Sequence, residues 1–382
     1  MINIIVDKFE ENGKPAANGI SAAQYQLDYP RLYYYLHQCN IPVSIVHIDT
    51  APLNSWYLMV LGFFDHECDY FNLIPPAVYK RLQRKEIKVV FTYHEGDNPR
   101  NIRMRLDYWC DQHGIDPSLV WLISGNSSAD GVFNCAYWSE LEFMYWRSVD
   151  LRSGGILHTQ PRNKQYMALC RIDKIWRNAF MSTLWSRGLH QHGYFSYNQI
   201  DLGKEDDYYG CALNNEYLEE LQPQMDEFIS AGPFKADELD TKQHNTYAVN
   251  PENMYEDSYF NIVLETVLDT DNSGGAFITE KTFKPIFNNQ FFVEVASAGT
   301  LEHLRDLGYQ TFGMCIDEHY DTIADHQQRF DAVLELTCDL ITQDLHSVYK
   351  KLSPVIRHNH HVFKQGMVHR LQAVVDRINY RP

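Results

Sequence analysis

The sequence predicts an α/β protein made of two Rossmann-like domains, each a largely parallel sheet covered by helices, with further helices at the C-terminus. Three observations carry this. Continuous β-branched runs alternate with helical segments over residues 1–150, the pattern of a sheet buried on both faces. The alternation restarts at residue 166, after a polar stretch with two Gly and one Pro at 151–165. The 382 residues are 45% hydrophobic and 22% charged, an ordinary globular composition with room for two or three domains of roughly 100–200 residues.

Taken in order, Ile2–Val6 reads as a first buried strand, and 22–38 as a helix broken near Pro30. Strands follow at 42–48, 56–62, 87–93 and 119–125. The linker at 151–165 separates an N-terminal domain (1–155) from a second one (166–350). That second domain opens with a strand at 166–172. Next comes an amphipathic helix at 174–188 that places Ile175, Ala179, Met181, Leu184 and Trp185 on one side. An acidic and aromatic stretch, 201–257, interrupts the pattern; it resumes with a strand at 260–266, a Gly-containing loop and a helix within 268–288, a strand at 291–296 and a helix at 299–308. Residues 322–380 read as helices with a break at Pro354, and 351–382 as a last helix packing back on the first domain. Two such domains are expected to face a cleft, with ligands at the C-terminal ends of the strands.

The net charge of −17 argues against non-specific nucleic-acid binding. The charge is uneven: residues 201–240 carry twelve acids against Lys204 and Lys235, whereas 350–382 carry seven Lys and Arg against Asp376. The eight cysteines are scattered, with no Cys-x-x-Cys, and read as buried reduced thiols. No apolar run approaches the ~18 residues of a membrane span, and the acidic N-terminus does not resemble a signal peptide, so the expected location is the cytoplasm.

The stretch richest in chemistry is 263–286. A strand ends at Glu265-Thr266, a turn-rich loop follows, and a helix opens near Thr279, a plausible N-cap residue. Free N–H groups at a helix start, with Lys281 beside them, suit a diphosphate. Glu280 there suits ribose hydroxyls, and Pro285 after Lys284 is expected to end or kink the helix. A capped surface turn fits the same spacing. Asp269-Thr270-Asp271, the nearest approach to an Asp-x-Asp metal motif, reads as a turn.

The run Ile-Val-Leu-Glu-Thr (262–266) followed by Ile-Thr-Glu-Lys-Thr-Phe-Lys-Pro (278–285) resembles the donor-binding half of GT-B glycosyltransferases, nearest to the α1,3-fucosyltransferase type. Gly299-Thr300-Leu301-Glu302 and Leu307–Phe312 stand after it as in related phage and bacterial proteins. The resemblance implies a GT-B-like fold and a nucleotide-sugar donor bound by Glu265, Thr266, Thr279, Glu280, Lys281 and Lys284. It also implies an Arg on the donor phosphates, placed here at Arg177, with Arg171 as the weaker candidate; a guanidinium suits bidentate phosphate contact. In the fucosyltransferases an apolar residue usually follows Thr-Glu-Lys, where this chain has Thr282, Phe283, Lys284 and Pro285. The acidic insertion at 201–257 has no assignable counterpart.

Inverting sugar transfer needs a base on the acceptor hydroxyl and a stabilised leaving diphosphate. In GT-B enzymes cations and helix dipoles serve the diphosphate, so neither a cofactor nor a divalent metal is expected. The polar cluster after strand 87–93 supplies the base: Glu95 first, Asp97 second, with His94 orienting. The acceptor is expected to be a glycan or another hydroxyl compound. A nucleic-acid acceptor, as in phage DNA-modifying glycosyltransferases, and a non-catalytic nucleotide- or glycan-binding module of the same fold are the alternatives. Ser124–Ser128 follows a strand but lacks a dinucleotide or Walker pattern, and His358–His361 reads as a solvent-facing histidine run.

Overall fold

The apolar runs assemble into two parallel sheets in the computed structural model, which describes residues 1–6, 31–61, 68–93, 95–151, 157, 159–200, 211, 213–236, 252–269 and 274–380. The chain divides into two units. One comprises Met1–Phe143, Asn272–Gly274 and Met367–Pro382; the other comprises Met144–Asp271 and Gly275–Gly366.

In the first unit, six strands lie in the order β2-β1-β3-β4-β5-β6: β1 (Ile2–Val6), β2 (Val43–His47), β3 (Ser55–Leu61), β4 (Ile87–Tyr93), β5 (Val120–Ser124) and β6 (Cys135–Tyr137). All five pairings are parallel. Every residue of β3 and β5 is buried, which is why these segments read as unbroken apolar runs. The helices α1 (Arg31–Gln38), α2 (Pro76–Gln83) and α3 (Pro99–His113) connect or follow the strands, and α4 (Glu140–Ser148) starts in this unit and ends in the second. α3 shows how sequence sets its limits. Asn98 accepts from the Arg100 N–H at 3.0 Å, Pro99 opens the first turn, and Gly114 closes the helix at φ +62. Its buried face is Ile102, Leu106, Trp109 and Cys110, spaced three to four residues apart. Of the first helix expected at 22–38, α1 is the described part; 22–30 lie outside the described residues.

In the second unit the order is β10-β9-β7-β8, again all parallel: β7 (Lys164–Ile172), β8 (Gly193–Ile200), β9 (Ser258–Leu264) and β10 (Phe291–Val295). The helices are α5 (Ile175–Ser186), α6 (Asn215–Ala231), α7 (Glu252–Asp257), α8 (Glu280–Phe287), α9 (Thr300–Asp306), α10 (His326–Ile341) and α11 (Leu345–Tyr380). The core is aromatic: Trp176, Phe180, Phe228, Phe260, Phe283 and Phe291 are fully buried, and Phe260 stacks on Phe291 across paired strands at 5.4 Å. Each such ring stabilises the fold by roughly 1.5–3 kcal/mol.

Several elements depart from the expectations. β6 and β8 were not apparent in the sequence. The acidic interruption contains α6, capped by Asn214 and packed on α5 through Met225 and Phe228. α11 runs through Pro354 without a break. Pro285 does lie inside α8, which ends two residues later. The run at 358–361 is not simply solvent-facing, because Asn359 and His360 are buried.

α11 begins in the second unit and contributes residues from Met367 onward to the first. There Arg370 pairs with Glu142, Arg377 pairs with Asp130, and Lys88 Nζ donates to the Ile378 carbonyl at 2.6 Å. The eight cysteines are free thiols, and burial pushes those of Cys110 and Cys135 up to about 12. Among the described residues no helix is long and apolar enough to cross a membrane.

Candidate functional site

In the second sheet the strand order reverses at β7: β8 lies on one side of it and β9 on the other. Helices leaving the C-terminal ends of neighbouring strands diverge at such a point and leave a crevice for a ligand. The residues after β7 and β9 lie at this switch point. Glu265, directly after β9, is fully buried, and its carboxylate organises the loop. One oxygen accepts from the Thr279 N–H at 2.9 Å and the Thr282 hydroxyl at 2.6 Å. The other accepts from the Thr279 hydroxyl at 2.6 Å and the Thr266 N–H at 3.2 Å. The two threonines flanking Glu280-Lys281 are thus there to clamp Glu265, and their clamping fixes where α8 starts. Thr279 also caps α8, its hydroxyl accepting from the Lys281 N–H at 3.4 Å.

Three cations converge on the Glu265-Thr266 turn. Arg177 donates to the Glu265 carbonyl at 2.7 Å, and Lys174 Nζ to the Thr266 carbonyl at 3.2 Å. Lys281 Nζ reaches the Thr266 hydroxyl at 3.1 Å and the Thr279 hydroxyl at 3.0 Å, and lies 3.8 Å from the Glu265 carboxylate. Arg177 and Lys174 are buried, whereas Lys281 keeps 31% of its side chain exposed. The Arg177 guanidinium sits 5.2 Å from the Trp176 ring centre, and its Nε is buried with no hydrogen-bond partner. The turn thus gathers a buried guanidinium N–H without a hydrogen-bond partner and a half-buried ammonium.

Glu280 and Lys284 share a face of α8, one turn apart. Burial lowers the Lys284 ammonium to about 8; Glu280 opposes that shift and Lys281 adds to it. Burial also works against ionisation of Glu280, but Lys281 and Lys284 outweigh it and hold the carboxyl below its usual range. Arg171 stands half-buried near the end of β7, three residues before Lys174. Asp269 pairs with His326 at 3.6 Å; Thr270 and Asp271 lie outside the described residues. Among the described residues no group of three His, Cys, Asp or Glu is arranged to hold a metal ion.

In the first unit, Glu95 is half-buried and follows the C-terminal end of β4. Asp97 is exposed and accepts a hydrogen bond from the Tyr93 hydroxyl; His94 lies outside the described residues. The loop carrying Glu95 is held from β5: Asn126 donates to the Gly96 carbonyl at 2.9 Å, and its amide oxygen accepts from the Ser128 N–H at 3.0 Å. Ser124–Ser128 therefore serves as a brace for that loop. Nearby, the Tyr35 hydroxyl donates to the buried Glu140 at 2.5 Å.

Of the donor-site residues expected from sequence, the structure brings together Arg177, Glu265, Thr266, Thr279 and Lys281, with Glu280 and Lys284 on the same helix. Sequence reading missed Lys174, whose only signal is its place at a strand end before a helix. It also missed Glu294 of β10, which is buried one strand away from Glu265 and whose carboxyl oxygens have no hydrogen-bond partner.

No protein-family model matches the chain, and no curated protein matches it. The chain is similar to a crystallised α1,3-fucosyltransferase at 10% identity and a TM-score of 0.32, over 96% of this chain and 92% of that one.

Proposed function

We propose that the chain is a glycosyltransferase that takes a sugar from a nucleotide-sugar donor to an acceptor hydroxyl, with protein cations rather than a metal receiving the leaving diphosphate. One observation carries this reading: Lys174, Arg177 and Lys281 converge on the Glu265-Thr266 turn at the switch point of the second sheet. The Thr-Glu-Lys resemblance supports it.

In the reaction, the acceptor oxygen attacks the anomeric carbon and the bond from that carbon to the diphosphate oxygen breaks. The nucleoside diphosphate leaves with the electron pair. Lys281 and Arg177 stabilise the charge that grows on it, and the α8 N-terminus adds its dipole. In the inverting form proposed here, Glu95 removes the acceptor proton, and Asp97 is the second choice for that role. Glu280 accepts from the ribose hydroxyls.

Calorimetry with a panel of nucleoside diphosphates tests the donor site. Lys281→Ala is expected to weaken binding by ~1.5–3 kcal/mol, the size of a charged hydrogen bond. Unchanged affinity in Lys281→Ala and in Arg177→Lys would remove the diphosphate from this crevice. Slow hydrolysis of nucleotide sugars tests catalysis: binding without turnover of any donor leaves a binding module. Once an acceptor is found, Glu95→Gln is expected to lower kcat by ~10²–10⁴-fold with donor affinity nearly intact. Activity kept in Glu95→Gln and lost in Asp97→Asn would move the base to Asp97.

A further inference from the structure

At the far end of α8 from the cation cluster, about one helix length or ~12 Å away, the chain turns through Phe287–Asn289 into β10. α11 packs on this turn and fixes it at two points. The Tyr349 hydroxyl donates to the Asn289 carbonyl at 2.7 Å. His360 Nδ1 lies 2.8 Å from the Phe287 carbonyl, which makes Nδ1 the protonated nitrogen, and the ring stacks on Phe287 at 5.5 Å.

Between the turn and the helix lies an open cavity of about 330 Å³ lined by Asn289, Arg357, His360, His361, Lys364 and Gln365. Its volume falls at the lower end of small-molecule sites, roughly 300–1,000 Å³. Two polar atoms of its buried residues have no hydrogen-bond partner: Asn289 Oδ1 and His360 Nε2, on side chains of residues 3% and 7% exposed. Burial lowers the His360 pKa and Lys364 and His361 add to this, while the bond to Phe287 opposes it. The neutral ring presents the Nε2 lone pair. Both orphan atoms therefore accept hydrogen bonds, and a buried acceptor left unmet is costly enough to mark a place where something donates.

Arg357, His361 and Lys364 recur at helical spacing on one face of α11, with Arg357 and His361 exposed and Lys364 half-buried. Cationic side chains and unpartnered acceptors in one lining make an unusual combination. A bare anion such as sulfate has nothing to donate to Asn289 and His360, and inorganic phosphate has at most two P–OH groups, on the oxygens that Arg357 and Lys364 would hold. A neutral polyol has no use for Arg357 and Lys364. A molecule carrying both a phosphate and hydroxyls satisfies all four. We infer that this cavity binds a small polyhydroxylated phosphomonoester, a sugar phosphate, with its hydroxyls on Asn289 and His360 and its phosphate on Arg357 and Lys364. This site lies at the opposite end of α8 from the proposed donor crevice and does not depend on it.

Calorimetry on the full chain with a hexose 6-phosphate, inorganic phosphate and the free hexose tests this. The hexose phosphate is expected to bind at least tenfold tighter than inorganic phosphate, and the free hexose to give no heat. An Arg357→Ala/Lys364→Ala double variant should weaken the hexose phosphate tenfold or more. Asn289→Gly retains the backbone, which stands at φ +56, and should erase the preference for hexose phosphate over phosphate. Lys281→Ala should leave hexose phosphate affinity as it is while weakening nucleoside diphosphates, so failure of the donor site and failure of this cavity read out separately. The inference is overturned if the hexose phosphate does not bind or binds no tighter than inorganic phosphate. It is equally overturned if Lys281→Ala abolishes binding while the double variant keeps it.

Discussion

Two glutamates on the second sheet meet burial in opposite ways. Glu265 has four donors around its carboxylate. Glu294 lacks such a set: burial, then the negative charge of Glu265, outweighs the Thr282 hydroxyl and Lys281, which favour the charged form, and raises its pKa well above the ordinary 4.5. The folded chain therefore holds this proton to higher pH than the unfolded chain does. The sign follows: below about pH 4.5 both states hold the proton and the stability is fully present. As pH rises toward the folded pKa, only the unfolded state ionises, and stability falls by about 1.4 kcal/mol per pH unit. Glu294→Gln keeps the shape and removes this linkage. Denaturant unfolding between pH 5 and 8 is expected to give a flatter stability profile for the variant than for the parent. Parallel profiles would mean that Glu294 titrates normally in the fold. Glu265→Gln, by contrast, removes one acceptor from a satisfied network and should destabilise by roughly 2–4 kcal/mol at neutral pH.

At the scale of the element, α11 holds a proline that its sequence gives every reason to break at. Pro354 has no N–H for the Lys350 carbonyl, yet the helix continues from Leu345 to Tyr380. Packing explains the survival: Leu352, Val355, Ile356 and Phe363 are buried around it, while Pro354 itself is exposed, so water reaches the freed carbonyl. Pro354→Ala should therefore stabilise the chain, by ~1–3 kcal/mol, because nothing packed on the ring is lost. A variant with an unchanged or lower denaturation midpoint would mean that the helix is already bent to suit the ring. The same contrast tells what was legible in the sequence. β3, β4, β5, β9 and β10 could be read because both faces of each are buried, which makes a local apolar run. β6 is three residues long and β8 mixes Gly, Ser, Asn and Gln with its aromatics, so neither stands out. Gly193 opens β8 because a Cβ there would lie 2.6 Å from the Tyr166 ring, a constraint visible only once the strands pair. In the site, the Thr279 cap and Lys281 are local signals. Lys174, Glu294 and the Asn289–His360 pair owe their roles to partners far away in sequence.

For the molecule as a whole, the remaining question at this level of charge is whether a duplex could be the acceptor. The net charge is −17, and the basic 350–382 stretch is a candidate face for a nucleic acid. Its cations are largely committed elsewhere. Arg370 and Arg377 are paired with Glu142 and Asp130, and Arg357 and Lys364 line the cavity beside His360. Lys350 and Lys351 are exposed, and Arg381 lies outside the described residues. Duplex affinity comes mainly from neutralised phosphates, and each one adds about −0.9 to the slope of log K against log salt. A protein making some 6–10 such contacts loses roughly 10³–10⁵ in affinity between 50 and 200 mM salt. Even with Arg357 and Lys364 counted, the described part of this stretch offers Lys350, Lys351 and those two, on a molecule whose mean field repels phosphate. The expected outcome is that a mobility-shift titration with 30-base-pair duplex at physiological salt shows no retained complex at micromolar protein. A retained complex whose salt slope reaches about −5 or steeper would show that a larger basic face exists, and would return a nucleic-acid acceptor to the front of the functional reading.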